Sequence, residues 1–68
     1  MSDLVERASA AREAGRLAEA ADLYRQALKA QPRSAALHNN LGGVLDQMGR
    51  PVEAVSAYRR AVEAAPEQ

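Results

Sequence analysis

Apolar and small residues recur at helical spacing in four segments of this chain, and a glycine or a proline separates each segment from the next. Gly15 and Gly49 end the first and third segments, because glycine most readily takes the positive φ of a helix end. Pro32 and Pro66 end the second and fourth, since a proline ring disfavours helix in the residue before it. We therefore predict four helices, over about residues 3–14, 17–30, 35–48 and 52–65.

The same pattern occurs twice, at a shift of 34 residues. A Gly-Arg pair, a Glu-Ala pair, a Tyr-Arg pair and a proline in residues 15–32 return at the same spacing in residues 49–66. A period of this length is typical of stacked repeats, in which no unit buries its apolar face alone. The 68 residues make two repeats, 1–34 and 35–68, each with two helices joined by a short turn. The predicted fold is all-α, with two stacked antiparallel helix–turn–helix hairpins.

The last predicted helix has apolar or small residues on two sides. One set faces the other helix of its hairpin and consists of Ala54, Ala57, Ala61 and Ala64. The second set consists of Val55, Tyr58, Val62 and Ala65. A helix with two apolar sides normally lies between two neighbours, and only Glu67 and Gln68 follow Pro66. We therefore expect either a fragment of a longer array or a second molecule that covers this set, such as a copy of the same chain in a homo-oligomer.

Charge and composition narrow the possible partners. The nine basic and nine acidic residues are interspersed and offer no basic stripe for a nucleic acid. The chain has no cysteine, which excludes disulfides and thiolate zinc sites. No apolar run reaches the roughly 18 residues that span a bilayer, and the first residues do not resemble a signal peptide. We expect a cytoplasmic protein that binds neither nucleic acid nor membrane.

No set of residues in the sequence forms a catalytic motif. His38 is the only histidine, and a zinc site needs three or four ligands, so we interpret His38 as a packing residue. Ser34 is best placed as a helix N-cap, and no serine belongs to a recognisable nucleophile–base arrangement. Gly42-Gly43 lacks the lysine and the preceding strand of a phosphate-binding loop. We expect no enzymatic activity, no cofactor and no metal.

The doubled pattern resembles the tetratricopeptide repeat, a helix–turn–helix unit of the same period. The family repeat has small residues, an aromatic residue and a proline at fixed positions, and this chain fills each of them twice. They are Ala8, Ala20, Tyr24, Ala27 and Pro32, then Gly42, Ala54, Tyr58, Ala61 and Pro66. The chain departs from the family where a tryptophan is usual, at Leu4 and His38, and where a tyrosine is usual, at Ala11 and Leu45.

The resemblance implies a protein–protein interaction module in which the first helix of each hairpin lines a concave groove. By helical spacing, the groove stripe is Val5, Ser9 and Arg12 in the first helix, and Asn39, Gly43 and Asp46 in the third. Asn40 lies beside this stripe and resembles asparagines that hold extended peptides in some family members, since an amide both donates and accepts hydrogen bonds. A solvent-exposed position with no binding role explains the presence of an asparagine here equally well. The predicted function is a non-enzymatic module that binds a protein or peptide, and the alternative is a self-associating structural unit.

Overall fold

The computed structural model of the protein describes residues 3–65, and this part of the chain forms four α-helices. They are α1 (Asp3–Glu13), α2 (Leu17–Ala30), α3 (Ala35–Gln47) and α4 (Pro51–Ala64). Helix α2 packs against both α1 and α3, and α3 packs against α4. The predicted all-α fold of consecutive helical hairpins is therefore confirmed. Pro66, the predicted end of the last helix, lies outside the described residues.

The turns inside the two hairpins have the same geometry. Gly15 and Gly49 have φ angles of +83° and +77°, in the left-handed region. The N–H of Arg16 donates to the carbonyl of Ala11 over 2.8 Å, and the corresponding bond after α3 measures 2.9 Å. This is the Schellman arrangement, in which a residue beyond the glycine bonds back into the last helical turn. It ends α1 and α3 one residue earlier than the sequence predicts.

The loop between α2 and α3 is fixed by two side chains of different kinds. Ser34 is the N-cap of α3, where its Oγ accepts a hydrogen bond from the N–H of Leu37 over 3.2 Å. The ring of His38 is buried, and its Nε2 lies 2.9 Å from the carbonyl oxygen of Pro32. Because a carbonyl oxygen only accepts, Nε2 carries the proton and donates. The predicted N-cap is confirmed, and His38 fastens the loop to the first turn of the helix that follows it.

Small residues bring the helices of each hairpin close together. Ala8 and Ala20 are fully buried, and Ala54 is almost so. A Cβ atom on Gly42 would lie 2.8 Å from two ring carbons of Tyr58, so the missing side chain lets this ring rest on the backbone of α3. Larger apolar residues complete the core, among them Leu23, Tyr24, Leu37, Leu41, Val44 and Leu45.

We predict that Gly49→Ala lowers the free energy of unfolding by about 1 kcal/mol. An L side chain in the left-handed region costs roughly 1–2 kcal/mol, and the reduced freedom of the unfolded chain offsets part of this cost. No atom lies within 4 Å of the position that the new Cβ would take, so the loss comes from the backbone alone. Urea unfolding followed by circular dichroism measures it. Gly49→Asn is the control, because asparagine tolerates this conformation; equal losses in both variants would contradict the argument.

The adjacent glycines of α3 should respond differently to alanine. Alanine favours a helix over glycine by about 1 kcal/mol. At Gly43 the new Cβ meets only the end of the long Arg12 side chain, which can swing aside, so we expect Gly43→Ala to stabilise the protein by about 0.5–1 kcal/mol. At Gly42 it meets the ring of Tyr58, and moving this ring offsets the gain. Parallel thermal and urea denaturation should rank Gly43→Ala above Gly42→Ala, and the reverse order would show that Tyr58 does not rest on α3.

Candidate functional site

A groove of about 560 Å³ lies between α1 and α3. Both helices pack on α2 but not closely on each other, and the space between them is therefore open to solvent. The groove is lined by Val5, Ser9, Arg12 and Glu13 from α1, Tyr24 from α2, and Asn40 and Gln47 from α3. Tyr24 is only 3% exposed and comes from the helix behind the groove. The groove thus has an aromatic base and polar side chains on both sides.

Arg12 crosses the groove from the last turn of α1 to α3. Its Nε donates a hydrogen bond to Oε1 of Gln47, at the last residue of α3. A Cβ atom on Gly43 would lie only 2.7 Å from Nη2 of Arg12, so the guanidinium occupies the space that any larger residue would fill. The glycine and the glutamine together fix the position of this half-buried cation.

The structure brings together only part of the predicted groove stripe. Val5, Ser9 and Arg12 line the groove with Asn40, and Gly43 joins them through its contact with Arg12. Asn39 instead lines a separate cleft beside α4. Asp46 is exposed and is not part of the groove lining.

The reason for this division is the rotation of α3 about its axis. A shift of one repeat carries Val5 to Asn39 and Arg12 to Asp46, and these two residues of α3 lie on its other flank, away from α1. The flank that faces α1 is Asn40, Gly43 and Gln47, with spacings of three and four residues. Adding one repeat length to the groove residues of α1 therefore does not give the residues of α3 that face the groove.

Three groove residues were not predicted from the sequence. Glu13 and Gln47 occupy equivalent positions in the two repeats. They lie one helical turn after the predicted groove residues Ser9 and Gly43. The sequence identifies Tyr24 as the aromatic residue of the repeat pattern, and the structure shows that it is buried and also lines the groove. The spacing of Asn40, Gly43 and Gln47 by three and four residues is the feature of the sequence that could have identified the side of α3 facing the groove.

A second surface lies beside α4, on the side away from α2. Its main feature is an open cleft of about 750 Å³ between α3 and α4. The cleft is lined by Ala35, Ala36, Asn39, Tyr58, Ala61, Val62 and Ala65. We call this cleft, together with the neighbouring Val55, the end face.

The end face differs from the equivalent face of the first repeat in its exposure. Tyr58 is 37% exposed, whereas its counterpart Tyr24 is 3% exposed. Val55 and Val62 are 54% and 71% exposed, whereas Ala21, the counterpart of Val55, is buried. The difference follows from the packing, because α3 covers the face of α2 and no described helix covers that of α4.

Among the described residues, four exposed ion pairs lie within single helices or at their ends. Arg16 pairs with Glu19 over 3.0 Å, and Arg50 pairs with Glu53 over 3.4 Å at the same place in the second repeat. Exposed pairs of this kind contribute little to stability. Within residues 3–65, no three histidine or carboxylate side chains cluster as a metal site would require. None of the helices in this range is long and apolar enough to cross a membrane.

Comparison with known proteins adds an independent observation. A family model described as the tetratricopeptide repeat matches residues 5–68. No curated protein matches the chain. The family match agrees with the doubled sequence pattern and with the consecutive helical hairpins, and repeats of this family typically bind proteins or peptides. This chain belongs to the tetratricopeptide repeat family, and that membership indicates a protein–protein interaction module.

Proposed function

We propose that this protein is a non-enzymatic module that binds an extended segment of another protein in the groove between α1 and α3. The observation that carries the proposal is the convergence of polar side chains from two helices in one groove, Ser9 and Arg12 on one side and Asn40 on the other, with Tyr24 from α2 in the same lining. Ligand sites commonly combine an apolar or aromatic surface with a few polar groups that fix the orientation of the ligand.

The polar groups of the groove suit a peptide backbone. The amide of Asn40 donates two hydrogen bonds and accepts others, and the hydroxyl of Ser9 does both. An extended segment presents unpaired N–H and C=O groups to such side chains. Because α1 and α3 are both fixed on α2, these groups are held in place before the ligand arrives, which lowers the entropy cost of binding.

The chemistry of the groove favours binding over catalysis, and a protein over a nucleic acid. Ser9 has no histidine beside it, since His38 is bonded to Pro32 outside the groove. A nucleophilic serine requires such a base. Arg12 and Glu13 bring one charge of each sign to the lining, whereas a nucleic-acid site requires several cations along a stripe.

We predict that Asn40→Ala weakens binding of a groove peptide by about tenfold, which corresponds to about 1.4 kcal/mol. Peptides are first selected from a displayed random library on the immobilised wild-type protein, then synthesised and titrated by fluorescence anisotropy. Asn39→Ala is the matched control, because it removes the same amide from the next residue of α3, which lies in a different cleft. Equal effects of the two variants, or no effect of Asn40→Ala on any selected peptide, would show that the ligand does not occupy this groove.

A second candidate function is self-association through the end face. It is supported by the exposure of Val55, Tyr58 and Val62 on a helix whose counterpart α2 is covered on the same side. The cleft of the end face is lined mostly by alanine, valine and tyrosine, and a copy of the same chain that covered it would remove this apolar surface from water. The two functions are compatible, because they use opposite flanks of α3.

We predict that the wild-type protein sediments as a dimer or larger species at micromolar concentration and that Val62→Glu shifts it to the monomer. Val62 is 71% exposed, so the charge leaves the fold intact, and circular dichroism should show unchanged helix content. Gln26→Glu adds the same charge at an exposed position on α2 and should leave the sedimentation coefficient unaltered. A stable wild-type monomer over the whole concentration range would eliminate this second function.

A further inference from the structure

Arg12 is held differently from the arginines that form ion pairs in the described residues. Each of these arginines pairs with a carboxylate three or four residues away, on the same helix or at its end. They are Arg7, Arg16, Arg25 and Arg50. Arg12 reaches a different helix, and its fixed partner is the neutral amide of Gln47. In the part of the chain that the structure describes, no carboxylate lies within ion-pair distance of it. Gln47 therefore orients the guanidinium without neutralising its charge.

The hydrogen bond to Gln47 determines which N–H groups of this guanidinium remain available to a ligand. Nε is used in that bond, which leaves the N–H groups of Nη1 and Nη2 as donors. These two nitrogens lie against Gly43, within the groove lining. A planar guanidinium presents such a pair of donors to a carboxylate in a bidentate arrangement, which is stronger and more directional than a hydrogen bond between neutral groups.

Glu13 does not satisfy this cation. It follows Arg12 in α1 and also lines the groove, but the structure records no ion pair between the two. Neighbouring residues of a helix point about 100° apart and do not face each other. The groove thus keeps one oriented cation whose counter-ion is not supplied by the described residues.

We propose that Arg12 determines the specificity of the groove, and that the bound segment places a glutamate or aspartate side chain against its Nη edge. The inference rests on the proposed binding function and names the chemistry of the ligand. Gln47 and Gly43 act as positioning residues: the first orients the guanidinium, and the second leaves room for it.

Gly43→Ala provides a way to move the cation without removing it. The new Cβ would lie 2.7 Å from Nη2 and 3.3 Å from Cζ of Arg12, so the guanidinium has to leave its place. Every charge and every polar group of the groove is kept, and alanine is the better helix former. Arg12→Gln complements it, because it keeps a polar side chain of similar reach and removes the charge.

The test begins with peptides selected on the wild-type protein from a displayed library in which each peptide is fused to the coat protein through its C-terminus. A carboxylate that is enriched in such a library comes from a side chain, since no peptide has a free C-terminus. We expect a glutamate or aspartate at one fixed position of those peptides whose binding is weakened by Asn40→Ala. A synthetic peptide with that residue and its glutamine or asparagine analogue are then titrated against wild-type, Arg12→Gln and Gly43→Ala proteins.

The quantity to compare is the ratio of the dissociation constants of the amide peptide and the acidic peptide, measured for each of the three proteins. Replacing the carboxylate by the amide should weaken binding to the wild-type protein by about tenfold, as expected for loss of a charge-assisted hydrogen bond. The same replacement should change binding to Arg12→Gln and Gly43→Ala by less than about twofold. Circular dichroism of both variants confirms that they are folded. A purely structural role for Arg12 would leave the carboxylate effect equal in all three proteins.

The other outcomes separate the two proposals. Peptides that depend on Asn40 but carry no acidic residue at a fixed position would overturn the role of Arg12 and leave the binding function standing. A carboxylate effect as large in Arg12→Gln as in the wild type would also overturn the role of Arg12 alone. Failure to select any peptide that depends on Asn40 would overturn both the binding function and the inference built on it.

Discussion

The buried side of each described helix is covered almost entirely by the helices next to it in the chain. Close packing occurs between α1 and α2, between α2 and α3, and between α3 and α4. The small residues Ala8, Ala20 and Gly42 make this packing possible, because they let a neighbouring helix approach the backbone. Two properties follow: α1 and α3 leave a groove between them, and α4 has a neighbour on one side only among the described helices. Both surfaces therefore result from the same nearest-neighbour constraint.

The architecture could be predicted from the sequence because its signals are local. Gly15 and Gly49 are the only positions in the described chain with positive φ, and each stands where a glycine separates two apolar segments. Ser34 caps α3 through a hydrogen bond three residues away. Signals of this kind depend on backbone conformation within one turn, so they need no knowledge of how distant helices meet. The remaining differences are single residues at the helix ends. Helices α1 and α3 end one residue early at the glycine turns, and α4 begins and ends one residue before the predicted 52–65.

The groove could be predicted only in part, because it depends on the rotation of two helices that are not neighbours in sequence. The predicted flank of α1 lines the groove, whereas α3 contributes Asn40 in place of Asn39. The side chains of the consecutive residues Asn39 and Asn40 leave the helix about 100° apart. This angle is enough to place one in the groove and the other in the neighbouring cleft. The contact between Arg12 and Gln47 spans 35 positions, one more than the repeat. No pattern within a single repeat contains such a contact, and it becomes visible only when the hairpins are stacked.

The position of α3 between the two surfaces has a physical consequence for how they act together. Asn40 belongs to the groove, and Asn39 belongs to the end face, so one helix forms a wall of each. In a stack of repeats, stability is approximately a sum of the stability of each unit and of each interface between neighbours. A molecule that covers α4 adds an interface to the second hairpin and makes fraying of α3 less frequent. Because Asn40, Gly43 and Gln47 are all on α3, a molecule that covered the end face would also stabilise this wall of the groove. If both proposed surfaces bind, binding at one flank of α3 should therefore favour binding at the other by reducing the fluctuation of the shared helix.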